Sequence, residues 1–451
     1  MIKYTSQHQL KFDQFSSLYQ LNLDPSNRWI QLASIMPWDD MVKHWTSQYS
    51  KSMGAAGINP RILLGAMIIK HKLNLTDEQT ILIISENPYM QFFLGLEEFN
   101  PKPLFSATLF VDIRKKIGSQ TFDQLSELVI KLSQIGKNNK DTANHGELKI
   151  DATVADQQIR YPNDLGLLNE ARVKTEIIID ELFDLLRDKL DVKPRTYRRE
   201  AHKVYLTQAK KKRKTKKELR KALRNGLNCV KRNLGHINTM LDMLPGSFPI
   251  AHKYQKQLWV IHTLWDQQWD MFINHRKRCN HRIVSISQPH VRPIVRGKQA
   301  AMVEFGSKLG LSLFNGYLKA DNISWDAYHE AQDLIQQAEN YKTLLGYYPE
   351  IIMADKLYAT NKNRKWCKEN GVRLTATPKG KQKKKTAYQK RKQRKEYGRR
   401  NHIEGKIGNA KQAYNLNQIK AKLKQTSESW IGATIFVMNL AQFANLNGAT
   451  F

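Results

Sequence analysis

The spacing of apolar residues divides the chain into helical and strand-like stretches. Residues 57–96 carry apolar positions at helical spacing and predict two helices. Pro60 suits the first turn of the first helix, and Thr76 with Gln79 predicts a capping box for the second. A third helix is predicted to begin near Ser106. This cluster is compatible with a helix-turn-helix-like arrangement, although plain helical packing explains it equally well.

A strand interrupts the helical pattern at residues 146–156, where apolar residues flank Asp151. A long helix follows, with Asp164 as its expected N-cap, and helical character continues to about Phe272. Aromatic residues recur every three or four positions near the end of this stretch. We interpret them as core rather than as base-stacking side chains: Trp265, Trp269 and Phe272.

Strand character returns in three segments: residues 282–297, 301–320 and 350–360. The second of these predicts a hairpin that turns near Ser307 to Gly310. In the last of these, the apolar run that ends at Asp355 is typical of a central strand buried on both faces. Flanking elements complete a β-α-β unit: helices at 325–345 and 361–370, and a short strand at 372–378. The pattern predicts an α/β protein with a mixed sheet.

The composition is that of a folded protein with an unusual excess of positive charge. Of 451 residues, 41% are hydrophobic, which argues against extensive disorder. The net charge of +32 indicates a polyanionic partner and favours nucleic acid over an acidic protein. Three scattered cysteines without regular Cys/His spacing indicate a reduced protein without structural zinc. No signal peptide is apparent and the apolar run at 430–444 is too short for a bilayer, so a soluble cytoplasmic protein is expected.

The positive charge is concentrated in two stretches. Residues 193–232 contain 17 Lys/Arg and two acidic residues, and residues 379–411 contain 14 Lys/Arg and two acidic residues. Concentrated charge of this kind attracts phosphate backbones independently of base sequence. Solvated or disordered tails are the alternative, but both stretches lie between segments with a structured pattern.

One acidic residue, Glu404, stands within the second basic stretch. If that segment is helical, Tyr397, Arg400, Glu404 and Lys411 fall within an arc of about 60° on one helix face. Taken alone, such a stripe is more often a surface ion-pair ladder than a site. Three glycines in the same segment are poor helix formers and predict an irregular helix that DNA could approach closely: Gly398, Gly405 and Gly408.

Three carboxylates can be brought together by this arrangement. Asp151 and Asp355 emerge at one sheet edge if their strands are neighbours, and Glu404 joins them if its helix packs on the sheet. Such close carboxylates repel unless divalent cations lie between them, and hard oxygen ligands prefer Mg²⁺ or Mn²⁺. Two such ions suit phosphodiester chemistry. The residues alone leave other acids as candidates: Asp156, Asp164, Asp321 and Asp333.

The chain resembles bacterial insertion-sequence transposases of the DDE superfamily. Tyr397, Arg400, Glu404 and Lys411 match the Y-x2-R-x3-E-x6-K signature without a gap. The segments 148–172 and 351–380 resemble the first-aspartate and second-aspartate blocks of these proteins. The N-terminal helices, at 60–73 and 105–118, are similar to the domain before the catalytic domain in insertion-sequence families four and five.

The resemblance implies an RNase H-like catalytic domain that holds two Mg²⁺ ions, for which Mn²⁺ can substitute. Asp151 would lie on its first strand, Asp355 on its fourth and Glu404 on the helix after its fifth. DNA contacts are expected from the signature residues and their basic neighbours: Tyr397, Arg400, Lys411, Lys406, Arg399 and Lys356. In the implied reaction, water attacks the element's ends, and the freed 3′-OH groups then attack target DNA without a covalent protein–DNA intermediate.

The resemblance also implies a separate function for each of three parts of the chain. Residues 1–125 would form an N-terminal helical domain that binds DNA ends, residues 146–164 and 283–451 the catalytic domain, and residues 165–282 a basic helical insertion. The expected partners are the terminal inverted repeats and target DNA, in a homodimer or higher assembly associated with the bacterial nucleoid. Two alternatives are an RNase H-like endonuclease without strand transfer and a domesticated, non-catalytic DNA-binding protein.

Overall fold

The computed structural model describes residues 23–46, 57–134, 144–244, 246–295, 303–376 and 386–449. These residues form two compact units. The first contains the described residues up to Gln157, Ser307–Ser324 and those from Tyr328 onward; the second contains the described residues of Gln158–Gly306 and Trp325–Ala327. Part of the second basic stretch, residues 379–385, lies outside the described residues.

Helices precede the first strand of the first unit. They are α1 (Arg28–Ile35), α2 (Trp38–Thr46), α3 (Pro60–Leu73), α4 (Asp77–Glu86), α5 (Pro88–Phe93), α6 (Leu109–Lys116) and α7 (Ser119–Gln134). Pro60 begins α3 as predicted, and Thr76 and Gln79 form the predicted capping box of α4. The third predicted helix, α6, begins three residues later than expected.

The sheet is mixed and six-stranded over the described residues. Its strands are β1 (Glu147–Asp156), β2 (Arg292–Val295), β3 (Val303–Phe314), β4 (Tyr317–Ser324), β5 (Ile351–Met353) and β6 (Arg373–Leu374). Their order is β2-β3-β1-β5-β6, with β4 paired to β3, so β1 and β5 are central and parallel. Helices flank the sheet: α12 (Asp333–Leu345), α13 (Asn361–Glu369), α14 (Ala387–Ala413) and α15 (Lys424–Leu446). The predicted α/β class is confirmed, and the arrangement is consistent with an RNase H-like fold.

Several predicted boundaries are wrong for local reasons. The hairpin turns at Asn315–Gly316, beyond the predicted Ser307–Gly310, because both residues adopt the positive φ angles (50° and 83°) of a tight two-residue turn. Within 282–297, the described residues form a strand only at β2. Asp355 follows β5, which is the fifth strand along the described chain and, because β2 belongs to the second unit, the fourth strand of the first unit. The glycine-containing segment is one uninterrupted helix, α14, and is not irregular as predicted.

One hydrophobic core serves the whole first unit. It includes Trp38 and Phe93 of the N-terminal helices, Leu148 of β1, and Phe436 of α15, all almost completely buried. Helix α15 packs against α3, α6, α7 and β4, so it lies between the N-terminal helices and the sheet. Across the described residues, each helix is either too short or too polar to cross a lipid bilayer.

The second unit is built on four helices: α8 (Asp164–Leu185), α9 (Arg198–Ala209), α10 (Lys216–Asp242) and α11 (His252–Ile273). Helices α8, α10 and α11 enclose a separate apolar core. The N-cap of α8 is Asn163, whose side chain accepts the backbone N–H of Gly166, and the predicted cap Asp164 is the first helical residue. Strand β2 pairs with the first residues of β3.

Candidate active site

Two aspartates occupy matching positions on the adjacent parallel strands β1 and β5. The paired residues are Glu147 with Ile351, Leu148 with Ile352, and Lys149 with Met353. Continuing this register by two residues sets Asp151 opposite Asp355, whose backbone is still extended at φ −71° and ψ 165°. Matched residues on neighbouring strands point to the same face, and the strands are about 4.8 Å apart. The register therefore gives Asp151 and the residue at the end of β5, Asp355, matching positions on neighbouring strands.

Asp151 lies in a partly buried environment. One of its carboxylate oxygens accepts the backbone N–H of Ala152 at 2.8 Å. Burial raises the pKa of Asp151, and the charges of Glu330 and Glu404 raise that pKa further, while the amide of Ala152 and the Arg400 guanidinium oppose the shift. A carboxylate desolvated in this way gains stabilisation from a nearby cation.

Asp355 is exposed and caps a short turn. Its carboxylate accepts the backbone N–H of Lys356 at 2.6 Å, at the start of the 3-10 turn Lys356–Tyr358. The side chain is thereby held at the end of β5 while its remaining oxygen lone pairs stay accessible to a ligand.

Helix α14 lies along β1 and runs in the same direction. Near the start of β1, Arg399 forms an ion pair with Glu147, and at its end Lys411 lies 3.6 Å from Asp156. Glu404 is five residues beyond Arg399, and Asp151 is four residues beyond Glu147. The two contacts therefore set Glu404 at the level of Asp151, in agreement with the effect of its charge on the pKa of Asp151.

The predicted polar stripe lies on α14, and its member Arg400 contacts both Tyr397 and Glu404. The Arg400 side chain donates to the carboxylate of Glu404, and its guanidinium carbon lies 5.1 Å from the centre of the Tyr397 ring. Arg400 is buried, whereas Glu404 is half-exposed and Tyr397 is 59% exposed. Burial lowers the pKa of Arg400. The hydrogen bond with Tyr397 and the negative charges of Glu404 and Asp151 outweigh this effect, so that the pKa is raised overall.

The expected DNA-contact residues differ in how accessible they are. Tyr397 and Lys356 are exposed, but Arg399 and Lys411 are held by carboxylates of β1. Lys406 is partly buried, and this burial lowers its pKa. Tyr397 and Lys356 are therefore the members of the expected set best placed to meet a ligand from solution.

The competing acidic residues all have hydrogen-bond or ion-pair partners elsewhere. Asp333 accepts from Tyr328 at 2.5 Å, Asp321 from Ser312 at 2.5 Å, Asp164 from Arg282 at 2.5 Å, and Asp156 faces Lys411 at 3.6 Å. These partners tie the four carboxylates to the fold around them. Asp151, Asp355 and Glu404 remain the candidate acids, on β1, at the end of β5 and on the helix packed on both strands.

Sequence reasoning missed a fourth acidic residue close to Asp151. Glu330 lies in a 3-10 turn, Glu330–Gln332, that packs on the turn after Asp355, and Lys308 holds its carboxylate at 2.9 Å. The Tyr358 hydroxyl beside them is fully buried, and no hydrogen-bond partner for it occurs among the described residues. Burial raises the pKa of Tyr358, and Glu330 and Asp151 add to this. The sequence offers no local signal for Glu330, which stands in a stretch predicted as ordinary helix.

The chemistry of the carboxylates fits a hard divalent cation. Asp151, Asp355 and Glu404 supply oxygen ligands from two adjacent strands and the helix packed on them, the donor type that Mg²⁺ prefers. As they stand, no three His, Cys, Asp or Glu side chains of the described residues are close enough to hold a metal ion together. One obstacle to shared coordination is the ion pair that Glu404 makes with Arg400.

Comparison with known proteins provides two domain matches. Residues 352–441 match a family described as "Transposase DDE domain", and residues 16–116 match a family described as "Transposase domain (DUF772)". The first match contains Asp355, Glu404 and the whole polar stripe. The chain is also 27% identical, over 162 residues, to "Uncharacterized protein ORF8 in nfe locus" of Rhizobium meliloti, which covers 36% of this chain and 77% of that protein. No solved structure matches the chain.

Proposed function

We propose that the chain is a bacterial insertion-sequence transposase of the DDE type, supported by the two transposase domain matches, and that it cleaves its element's ends and joins them to target DNA. Water attacks the phosphodiester at each terminal inverted repeat, and the freed 3′-OH then attacks a target phosphodiester by transesterification. The observation that carries this proposal is the matching position of Asp151 and Asp355 on neighbouring strands, with Glu404 at the same level of the packed helix.

In this proposal the three carboxylates hold two Mg²⁺ ions, for which Mn²⁺ can substitute. The bound ions would supply Lewis-acid activation of the attacking oxygen and stabilisation of the leaving oxygen. Asp151 and Asp355 provide fixed ligands because a sheet and a backbone hydrogen bond hold each of them. Glu404 provides the movable ligand, since it sits half-exposed on α14 and Arg400 restrains it from one side.

Arg400 has two roles in the proposed site. While it pairs with Glu404, it keeps that carboxylate close to Asp151 in spite of their mutual repulsion. With Glu404 serving as a metal ligand, the same guanidinium would be free to face the scissile phosphate, with its orientation set by the Tyr397 ring. Buried guanidinium groups suit this role because they stay protonated and bind phosphate oxygens in a defined geometry.

The DNA is proposed to approach α14 along its glycines. At Gly398, Gly405 and Gly408, a Cβ atom would meet no heavy atom within 4 Å among the described residues, apart from the helix's own backbone. The exposed side chains of Tyr397 and Lys356 border the same site. A helix without side chains at these positions leaves room for a nucleic-acid backbone close to the catalytic acids.

The remaining assignments are also proposals. Residues 1–125 bind the DNA ends, residues 146–164 and 283–451 form the catalytic domain, and residues 165–282 are an insertion. The protein acts as a dimer or higher assembly, because transposition pairs two ends. It works in the bacterial cytoplasm in association with the nucleoid.

Substitution of a glycine on α14 should increase the stability of the protein and decrease its activity. We expect Gly405→Ala to raise the free energy of unfolding by about 0.5–1 kcal/mol, because alanine is the better helix former and has open space. The same methyl group should slow DNA cleavage by keeping the DNA backbone away from Glu404. Thermal unfolding and cleavage rate measured on one preparation test both parts. A stabilised variant with an unchanged cleavage rate would reject the close approach of DNA at this position.

The reaction itself is tested with purified protein, Mg²⁺, a DNA fragment carrying the inverted repeats that flank the gene, and a supercoiled target plasmid. We expect nicks at the repeat ends, followed by products in which 3′ ends of the fragment are joined to the plasmid. Cleavage without joined products would instead identify an endonuclease. Binding without cleavage in either Mg²⁺ or Mn²⁺ would identify a non-catalytic DNA-binding protein. Pre-cleaved ends with free 3′-OH groups separate the joining step from the cleavage step.

A further inference from the structure

Helix α10 of the second unit carries a straight stripe of positive charge. Lys217, Lys221, Arg224 and Lys231 are all exposed. Their spacing sets them within an arc of about 80° over a length of about 21 Å. The stripe is thus a linear array of four cations on one side of a single helix.

The opposite side of α10 fixes the stripe in place. Leu227, Val230, Leu234 and Ile237 are buried in the core shared with α8 and α11. Thr215 and Glu218 form a capping box at the start of the helix. Because one face is anchored along its length, α10 cannot rotate its charged face away from solvent.

An aromatic ridge on α11 lies beside the stripe. Trp265 and Trp269 stack with ring centres 5.3 Å apart and planes 13° apart, and Trp269 continues to Phe272 at 6.2 Å. The indole N–H of Trp265 donates to the backbone carbonyl of Leu227 on α10 at 3.0 Å. This hydrogen bond therefore holds the aromatic ridge against α10, the helix that bears the charges.

Cations of α10 lie over these rings. The Lys231 ammonium is 6.0 Å from the ring centre of Trp265 and 5.9 Å from that of Trp269. Arg224 and its neighbour Arg220 lie 5.8 Å and 4.2 Å from the centre of Phe272. Cation–π contacts restrict long side chains without neutralising them, which lowers the entropy lost when they bind an anion.

The stripe has no acidic partners among the described residues, where no carboxylate forms an ion pair with any of its four cations. Some other exposed cations of the same unit are paired, as Arg187 is with Asp184 and Lys211 with Glu218. Four exposed charges in line, without ion-pair partners in the part of the chain that the structure describes, suit an anion of matching length.

We infer that the α10 stripe binds the sugar–phosphate backbone of double-stranded DNA, without reading its sequence. A rigid line of cations suits the regular phosphates of a duplex, which carries one charge per about 1.7 Å of helix axis. Single strands are usually bound by stacking bases on open aromatic faces, whereas here the rings stack on one another and lie under cations. This inference adds a second DNA-contacting surface to the proposed function. It rests on the proposed function only because DNA is taken to be the polyanion.

The test removes three charges from the stripe in the full-length protein. The triple variant Lys221→Gln, Arg224→Gln, Lys231→Gln is compared with a control that loses three exposed lysines of the same unit away from the stripe: Lys253→Gln, Lys256→Gln, Lys277→Gln. Affinity for a 30-base-pair duplex of arbitrary sequence is measured by fluorescence anisotropy at several salt concentrations. We expect the slope of log K against log salt to fall by about 2–3 in the stripe variant and by less than about 1 in the control. Affinity at low salt should fall by about tenfold or more in the stripe variant alone.

The outcomes separate this inference from the proposed reaction. Equal slopes for the two variants, or a wild-type slope in the stripe variant, overturn the stripe as a DNA site. A loss confined to single-stranded DNA or to duplex RNA overturns it as well. Asp151→Asn, which should abolish cleavage, is expected to keep the wild-type slope, so a failure of the catalytic proposal leaves this measurement intact. Unchanged thermal unfolding of both triple variants excludes misfolding as the cause of a lower slope.

Discussion

Asp151→Asn, Asp355→Asn and Glu404→Gln should each reduce the cleavage of the element's ends by about a thousandfold or more. Each change replaces a carboxylate oxygen by a neutral amide of the same shape and so removes a ligand from the proposed metal pair. Lewis-acid stabilisation supplies several kcal/mol of transition-state stabilisation, and each 1.36 kcal/mol corresponds to about a tenfold change in rate. The matching strand positions of Asp151 and Asp355, with Glu404 at their level, are the physical reason to expect three similar losses.

The measurement is the single-turnover cleavage rate in Mg²⁺, with DNA affinity and thermal unfolding recorded on the same samples. Matched controls are Asp112→Asn and Glu369→Gln, which make the same chemical changes at exposed carboxylates of the first unit. Because burial raises the pKa of Asp151, the ionised form costs folding energy at neutral pH, and Asp151→Asn should fold at least as stably as the wild type. One acid variant that cleaves at the wild-type rate would remove that residue from the site.

Asn439→Leu should lower the free energy of unfolding by about 3 kcal/mol, the largest stability effect we expect. The fully buried Asn439 amide on α15 accepts the backbone N–H of Leu318 at 2.8 Å and donates to its carbonyl at 2.7 Å. It thus gives the buried strand β4 the two hydrogen bonds that a neighbouring strand would provide. Leucine has a similar size but leaves both backbone groups unsatisfied, at a cost of about 1–3 kcal/mol each.

Asn445→Leu is the matched control, since Asn445 is exposed on the same helix and the substitution is chemically identical. Denaturant unfolding gives the global effect, and hydrogen exchange at the Leu318 amide reports the local one. We expect faster exchange at Leu318 in the Asn439 variant and no change in the control. Equal midpoints for the two variants would show that the paired hydrogen bonds contribute little to stability.

Local patterns in the sequence are sufficient to predict the central elements of the fold. The apolar runs around Asp151 and before Asp355 are strands, and these strands are central and parallel. Buried parallel strands leave a strong signal because both faces must be apolar. The capping box at Thr76 is equally local, since the residues that satisfy each other are three positions apart.

The wrong predictions concern features that local apolar spacing does not decide. The hairpin was predicted at a Ser–Gly-containing stretch, but β3 continues through it with a register shift at Gly310–Leu311. The chain reverses at Asn315–Gly316 instead, and the Asn-Gly pair was the stronger turn signal available in the sequence. The regularity of α14 was likewise underestimated, because packing on β1 and β5 compensates for its three glycines.

For the candidate site, sequence reasoning proposed the acids but could not give their present partners. The stripe on α14 follows from helical spacing alone. The pairing of Arg400 with Glu404 depends in addition on how the helix packs on the sheet, because that packing decides which partners are within reach. Glu330 could not be predicted, since it reaches the neighbourhood of Asp151 only through the packing of two 3-10 turns that are distant in sequence.

The position of α15 has a consequence for truncated copies of the gene. This helix is the last described element along the chain, yet it fills the space between the N-terminal helices and the sheet. The ribosome must therefore deliver the chain as far as the end of α15 before the first unit can close. A frameshift upstream of α15 should release a chain with exposed apolar surface, which is a substrate for proteases, and not a folded fragment.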